Sequence, residues 1–400
     1  MPAVCRQGDD MADPVWFWQR IVSPHMAGLA AALAASREVT YVAERTMSAE
    51  RATQGWQTPI LGDAHLRLAP GADAVRKLVA EAPANSIHVC QGFRGNGLID
   101  IARNTLAARG LRQWVIMETV DDSGWRGVLQ RLEYRRLVHR RRDRVEGVLA
   151  IGDTTPDWLV ARGMPRDRVF PFAYFLSDRT QQAPLCFDAN APFRFLYVGR
   201  LIELKRVDLL LDALARLEDT AFELTVIGSG PLETVLRAKA EKKLPRRVGW
   251  LGLRPIGEIP ALMADADCLV LPSRYDGWGA VVSEALMAGT PALCSDRCGA
   301  AGAVRASGCG GVFPSGNAEA LAGLLGNALA KGRQAPRQRA AVAEWARCLG
   351  AGAGARYLDA ILRSAASVGP RPQPPWESHS YSMAEPAGET AVMKSGSLTE

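Results

Sequence analysis

The sequence predicts an α/β protein made of two doubly wound parallel-sheet domains that face each other across a cleft. Two observations carry that expectation. Short apolar runs alternate with helical segments along most of the chain, the pattern of a parallel sheet covered by helices on both faces. A stretch containing Gln, Pro and Asn, residues 177–191, separates two such series as an interdomain linker does. At 400 residues, 48% of them hydrophobic, the chain can bury two sizeable cores.

In the first domain, residues 14–176, the run Val15 to Trp18 reads as the opening strand. Ser23 and Pro24 then suit the N-cap and first position of an alanine-rich helix ending near Ser36. Strands follow at Val39 to Val42, Ser86 to Cys90, Gln113 to Met117, Val148 to Ile151 and Val169 to Leu176. The second domain, residues 192–349, has strands ending at Val198, Ile227 and Leu271, and the chain is helical again from Ala340 to Ala366. Residues 1–13 and the nonperiodic Pro-, Ser-, Glu- and Thr-rich tail 369–400 are expected to be disordered.

The most informative stretch runs from Asp276 to Glu284, two carboxylates eight residues apart across a Gly277-Trp278-Gly279 turn. It follows an apolar strand and opens a helix from Val281 to Ala288, so unpaired amides at the helix start face whatever ligand the glycines admit. Asp276 at the mouth suits a sugar and Glu284, two turns down, a ribose; a turn acid plus a helix-surface acid is the alternative. Arg200 and Lys205, after the strand Phe195 to Val198, suit a pyrophosphate as a bidentate fork and a point charge. Gly228-Ser229-Gly230 repeats the strand, glycine turn and helix pattern.

Together with Trp250-Leu251-Gly252, Ala264-Asp265-Ala266-Asp267 and Ala288-Gly289-Thr290-Pro291, these segments resemble the retaining family-4 glycosyltransferases, over about half the chain. The resemblance implies the GT-B fold, with two facing α/β domains and the active site between them. It implies that Arg200 and Lys205 neutralise the departing diphosphate and that Asp276 and the amides around Gly277, Trp278 and Gly279 hold the donor sugar. Glu284 would then take the ribose hydroxyls, Leu251 to Arg254 would border the base, and Gly199, Gly228 and Gly230 would line the donor site. The acceptor attacks from the side on which the diphosphate leaves, and a phosphate oxygen takes its proton. No metal and no cofactor are required, with the nucleotide sugar acting as substrate. Residues 350–368 resemble the family's last helices, which cross back onto the first domain. Where relatives have a Glu pair, the first member here is Asp276.

The first half departs further from the family. Gln19 to His25 replaces a Gly-Gly turn, Cys90 replaces a histidine, and Asp121 stands in the histidine's place in Thr119-Val120-Asp121-Asp122. His25 suits an acceptor, a donor phosphate or a helix cap. Asp121 and Asp122 suit an acceptor hydroxyl or a loop-and-cap role, and Arg94, in a glycine-rich turn, suits an acceptor or plain turn structure.

Arg126 to Arg144 crowds Arg135, Arg136, Arg140, Arg141 and Arg142 onto one helix. Trp125, Val128, Leu129 and Leu132 share a face of it, whereas Tyr134, Leu137 and Val138 rotate away. An anionic membrane surface and a solvated basic face both fit. Nucleic acid is not expected, because aromatics do not interleave with the basic run. A net charge of +6 favours anionic partners. Lacking a long apolar run, a basic-then-apolar start or paired metal-ligand spacing among its eight cysteines, the chain is expected to be cytoplasmic, at most peripheral on the inner membrane face. Transfer to a glycan or lipid-linked acceptor in surface-polysaccharide biosynthesis is the leading function. The alternatives are a sugar-nucleotide epimerase of the same fold, a non-catalytic scaffold and a nucleic-acid-binding protein.

Overall fold

A computed structural model of the 400-residue chain describes residues 12–47, 58–177, 191–217, 220–366 and 369–378. Most of the expected N-terminal segment, linker and tail lies outside the described residues. Asp13 is described, however, and takes an ion pair from Arg112 at 2.8 Å, so the expected disorder does not reach it.

The first domain is a seven-stranded sheet in the order β3-β2-β1-β4-β5-β6-β7. Its strands are β1 (Val15–Ile21), β2 (Val39–Arg45), β3 (His65–Leu68), β4 (Ile87–Gln91), β5 (Arg112–Glu118), β6 (Gly147–Ile151) and β7 (Val169–Phe172), and every pairing is parallel. The central strands are buried on both faces, as their continuous apolar runs require. The exposed edge strand β3, with sequence His-Leu-Arg-Leu, carries no such run and escapes sequence reading.

The second domain holds β8 (Phe193–Val198), β9 (Phe222–Ile227), β10 (Val248–Gly252), β11 (Cys268–Leu271), β12 (Ala292–Ser295) and β13 (Gly310–Phe313) in the order β10-β9-β8-β11-β12-β13, again all parallel. In both sheets the strand order reverses beside the first strand, at β1/β4 and at β8/β11. Such a switch point opens a crevice beyond the carboxyl ends of the strands.

The helical stretch expected over residues 340–366 consists of two helices, Pro336–Ala346 and Ala351–Ala366, separated at Gly350, whose backbone bridges to Leu176 of the first domain. The second of these helices lies on the first domain. Tyr357 donates to the Pro171 carbonyl at 3.0 Å, and Arg37 pairs with the buried Asp359 at 2.5 Å. Pro375–Ser378, inside the expected disordered tail, is a short helix whose Trp376 is buried near Phe175 and Trp278. A large ring that can be buried overrides the polar composition around it.

Candidate active site

The glycine turns of the second domain are built against one another. The Gly199 amide donates to the Ile227 carbonyl at 2.9 Å and Leu201 to Ser229 at 2.9 Å, so the turns after β8 and β9 interlock. A methyl group on Gly228, where φ is +132°, would lie 1.9 Å from the Gly199 oxygen, and one on Gly230 would lie 2.4 Å from the Leu201 oxygen. These glycines therefore let two backbones meet, whatever else they touch. Buried Tyr197 donates to the Arg200 carbonyl at 2.8 Å and fixes the turn from which the exposed Arg200 side chain projects.

Lys205 closes a short 3-10 turn, Glu203–Lys205, and its ammonium lies 2.5 Å from Asp276 Oδ2, with the two side chains only 21% and 16% exposed. The sequence assigns one of these residues to phosphate and the other to sugar; the structure sets them on each other. An ammonium has three donors, so the pair leaves Lys205 two for a further ligand. The Asp276 backbone is held by Arg297 and Gly299 through hydrogen bonds of 3.0 and 2.9 Å. Gly279, in the left-handed region at φ +83°, turns the chain into the helix Ala280–Met287, which carries the half-buried Glu284.

Trp278 lines the cavity between the domains but not with its indole N–H. That side chain is buried and its indole N–H donates to Ser283 Oγ at 3.0 Å, so the ring props the loop from within. At the outer edge of the domain Leu251 is half-buried, while the exposed Arg254 lies 3.9 Å from Glu258 on its own side.

Between the domains is a cavity of about 450 Å³. The first domain lines it with Gln19, His25, Gln91, Glu118 and Tyr174, and the second with Asp276, Trp278 and Gly279. The His25 ring stacks on Tyr174 with centroids 4.9 Å apart. A second cavity of about 250 Å³ shares Gln19, Glu118 and Tyr174 and extends to Arg94.

Glu118 joins the two spaces, and sequence reading misses it. Tyr174 donates to its Oε1 at 2.5 Å, while Oε2 lies so close above Gly277 that a methyl group there would be 1.2 Å away. Burial pushes its carboxyl above the usual carboxylate range; the Tyr174 hydroxyl opposes this, Asp276 adds to it and Lys205 opposes it. The available signal was an acid closing an apolar strand at its carboxyl end. Beside it the domains are joined by Tyr275, which donates to the Thr119 carbonyl and lies 3.0 Å from the Thr119 hydroxyl.

Of three acceptor candidates, Asp122 and Arg94 are engaged within their own domain, and Asp121 is held both there and by arginines of the other domain. Asp122 takes Arg162 at 2.5 Å and the Trp158 indole at 2.9 Å, which makes it an internal brace. Arg94 forks onto Glu133 at 2.7 and 3.0 Å. Asp121 accepts from the hydroxyl and amide of Ser123 at 2.6 and 3.2 Å. Burial pushes the Asp121 carboxyl up, but Ser123, Arg274 and Arg297 together hold it below its ordinary value. Cys90, in the place of the family's histidine, is wholly buried and pushed up to about 12 by burial, so it belongs to the core. Asp265 pairs with Arg194 at 2.7 Å and Asp267 with Arg333 at 3.0 Å, which accounts for both acids of that doublet as bracing residues.

On the basic helix Gly124–Arg141, Arg141 is buried against Asp100, and Arg142, just beyond, donates to the Gly163 carbonyl at 3.0 Å. Two of the five arginines expected at a membrane are thus structural, leaving Arg135, Arg136 and Arg140 exposed. Tyr134 and Val138 face the core, whereas Trp125, 72% exposed, points to solvent with Val128, Leu129 and Leu132.

Two doubly wound domains meeting at their switch points across such a cleft define the GT-B architecture. The fold matches Anabaena HepE, solved with UDP, with a TM-score of 0.69 over 88% of this chain and 100% of that one at 15% identity. It also matches the lipopolysaccharide outer core galactosyltransferase WaaB, with a TM-score of 0.64 over 83% and 94% at 17% identity. Residues 188–345 match the family described as Glycosyl transferases group 1. Among curated proteins it is 29% identical over 176 residues to the amylovoran biosynthesis glycosyltransferase AmsK of Erwinia amylovora, 42% of this chain and 43% of that protein. It is 36% identical over 169 residues to a glycogen synthase of Halorhodospira halophila, 39% of this chain and 33% of that protein. The matched stretch is thus less than half the length of each relative.

Proposed function

We propose that this protein is a glycosyltransferase that moves a sugar from a nucleotide-sugar donor to a glycan or lipid-linked acceptor with retention of configuration. The observation that carries the reading is the Lys205–Asp276 pair at the mouth of the Gly277–Gly279 turn, beside the interlocked Gly199 and Gly228 turns and opposite the first-domain wall. A diphosphate at these turns meets Arg200 and the free donors of Lys205, which stabilise the charge as the sugar departs. Asp276 and the amides at Gly277 and Gly279 hold the sugar, Glu284 takes the ribose, and Leu251 borders the base.

The match of residues 188–345 to the glycosyl transferases group 1 family and the UDP bound to HepE support a nucleotide-sugar donor. The likeness to AmsK, named for amylovoran biosynthesis, supports a role in surface-polysaccharide biosynthesis. Arg200 and Lys205 take the part a metal plays elsewhere, so the reaction is proposed to run without one. A cytoplasmic enzyme working at the inner membrane face completes the reading. Its support is the exposed row Trp125, Val128, Leu129 and Leu132, followed by Arg135, Arg136 and Arg140, which combines an apolar face with charges that attract anionic headgroups.

A thermal-shift panel of UDP-, GDP- and dTDP-sugars tests the donor assignment. Ligand at a hundredfold excess over its Kd stabilises by about 2.7 kcal/mol, so the donor stands apart from the others. A panel in which no nucleotide sugar raises Tm contradicts the reading.

A further inference from the structure

We infer that the side-chain amide of Gln19 holds a hydroxyl of the acceptor, and that the part of the acceptor bound there is an uncharged sugar. This rests on the glycosyltransferase reading above. Gln19 lies near the carboxyl end of β1, which borders β4 at the switch point of the first domain, and it is only 4% exposed. Its Nε2 is buried and finds no protein hydrogen-bond partner among the described residues. Buried amide donors nearly always have a partner, and one without costs more than a typical hydrogen bond contributes. Gln19 nevertheless lines both cavities, the one of about 450 Å³ that reaches Asp276 and Gly279 and the one of about 250 Å³ that reaches Asn96 and Thr119. The partner this amide lacks is one that a ligand in those spaces brings.

The chemistry of the shared wall narrows the ligand. Gln19, Ser23, Gln91, Glu118 and Tyr174 line both cavities. Two amides, a hydroxyl and a phenol recognise hydroxyl groups, and the charges around them already have partners. Glu118 accepts from Tyr174 at 2.5 Å, Arg94 is forked onto Glu133 at 2.7 and 3.0 Å, and Asp276 holds Lys205 at 2.5 Å. Arg20 and Arg45, on the wall of the larger cavity, are exposed. An amide can also turn end for end, exchanging its donor and its acceptor. A hydroxyl both donates and accepts and so satisfies either orientation, whereas a carboxylate satisfies only one.

Gln19 thereby orients the acceptor beside the sugar assigned to Asp276 and the Gly277–Gly279 turn, and it exchanges no proton. The unpartnered amide also weighs on the free protein. A residue kept for folding destabilises the chain when it is replaced, whereas an apolar side chain of similar size in place of this amide removes a buried group that lacks a partner. Binding and folding roles therefore move stability in opposite directions.

The test uses the full chain, the nucleotide sugar that stabilises it, and the methyl glycosides of glucose, galactose, mannose and glucuronic acid as acceptor probes, with release of nucleoside diphosphate as the readout. One of the neutral glycosides is expected to speed release more than the glucuronide does. Gln19→Leu is expected to keep Tm at or above that of the parent, to leave nucleotide-sugar affinity within about twofold, and to raise KM for that glycoside by roughly five- to tenfold, the loss of one hydrogen bond. A monodeoxy form of the glycoside that lacks the bonded hydroxyl is expected to lose the same factor with the parent and nothing further with Gln19→Leu. Gln19→Met, unbranched like glutamine, repeats the comparison where leucine does not pack. A lower Tm in both variants with KM unchanged makes the amide a structural group and overturns the proposal. So does weaker nucleotide-sugar binding with KM unchanged, which assigns Gln19 to the donor. A glucuronide preferred over every neutral glycoside, or slow release that no glycoside speeds, overturns it as well. Failure of the parent to release nucleoside diphosphate from any donor, even by hydrolysis, overturns the glycosyltransferase reading, and the role of Gln19 with it.

Discussion

Replacing Lys205 with Ala removes an ammonium that lies 2.5 Å from Asp276, and the consequences divide into two parts. In the resting protein Asp276, 16% exposed, loses its cation and keeps a partly desolvated charge, at a cost of about 1–3 kcal/mol. For a domain of this size that lowers Tm by roughly 2–12 °C. In the reaction the departing diphosphate loses one of two proposed cations. Loss of one electrostatic stabiliser typically costs about 3 kcal/mol, or about a hundredfold in kcat. The two parts separate in the double variant Lys205→Ala/Asp276→Asn, which removes both charges: Tm is expected to recover, while release of nucleoside diphosphate stays at the level of Lys205→Ala or below. Arg200→Ala is expected to lose at least about tenfold in turnover with a smaller change in Tm, because Arg200 projects from the surface. If Lys205→Ala loses less than about threefold in kcat, or if the double variant regains turnover, Lys205 serves only to neutralise Asp276 and the phosphate assignment is wrong.

Glu284→Gln keeps size and loses charge, so calorimetry with the free nucleoside diphosphate is expected to show binding weaker by roughly 1.5–3 kcal/mol. Equal affinity leaves Glu284 as a helix-face acid. Adding EDTA is expected to leave transfer unaffected, and loss of activity restored by magnesium or manganese would falsify the metal-free reading. Replacing Arg135, Arg136 and Arg140 together with Gln is expected to weaken co-sedimentation with anionic vesicles at low salt by about 3 kcal/mol, at about 1 kcal/mol for each cation. Arg141 and Arg142 stay unmutated because they hold Asp100 and the Gly163 carbonyl. Parent protein that ignores such vesicles at low salt makes a soluble acceptor the better reading.

The second domain was largely legible because its chemistry is written locally. Gly228 and Gly230 are required where two backbones meet, and that need appears in sequence as a glycine turn after an apolar strand. The pairing of Lys205 with Asp276 was not legible, since it joins turns 71 residues apart and depends on how two loops at the switch point fold toward each other. The first domain hid more. Asp122 and Arg94 look like site residues in sequence, but their partners Arg162 and Glu133 lie 40 and 39 residues away, and only the packed domain reveals them. Glu118 went unread for the opposite reason: its neighbour Gly277 belongs to the other domain. Trp278 shows the same limit, because a tryptophan in a glycine turn reads equally as ligand platform or buried prop, and burial decides.

The central claim is that the turns around Arg200, Lys205, Gly228 and Asp276 hold a nucleoside diphosphate. Calorimetric titration of the parent, Arg200→Ala and Lys205→Ala proteins with UDP, GDP and dTDP measures this most directly. Saturable, one-to-one binding of one of these nucleotides to the parent is expected, with a clear loss of affinity in both variants and the folded state intact by circular dichroism. Absence of binding to the parent by all three, or binding that both variants retain undiminished, would contradict it.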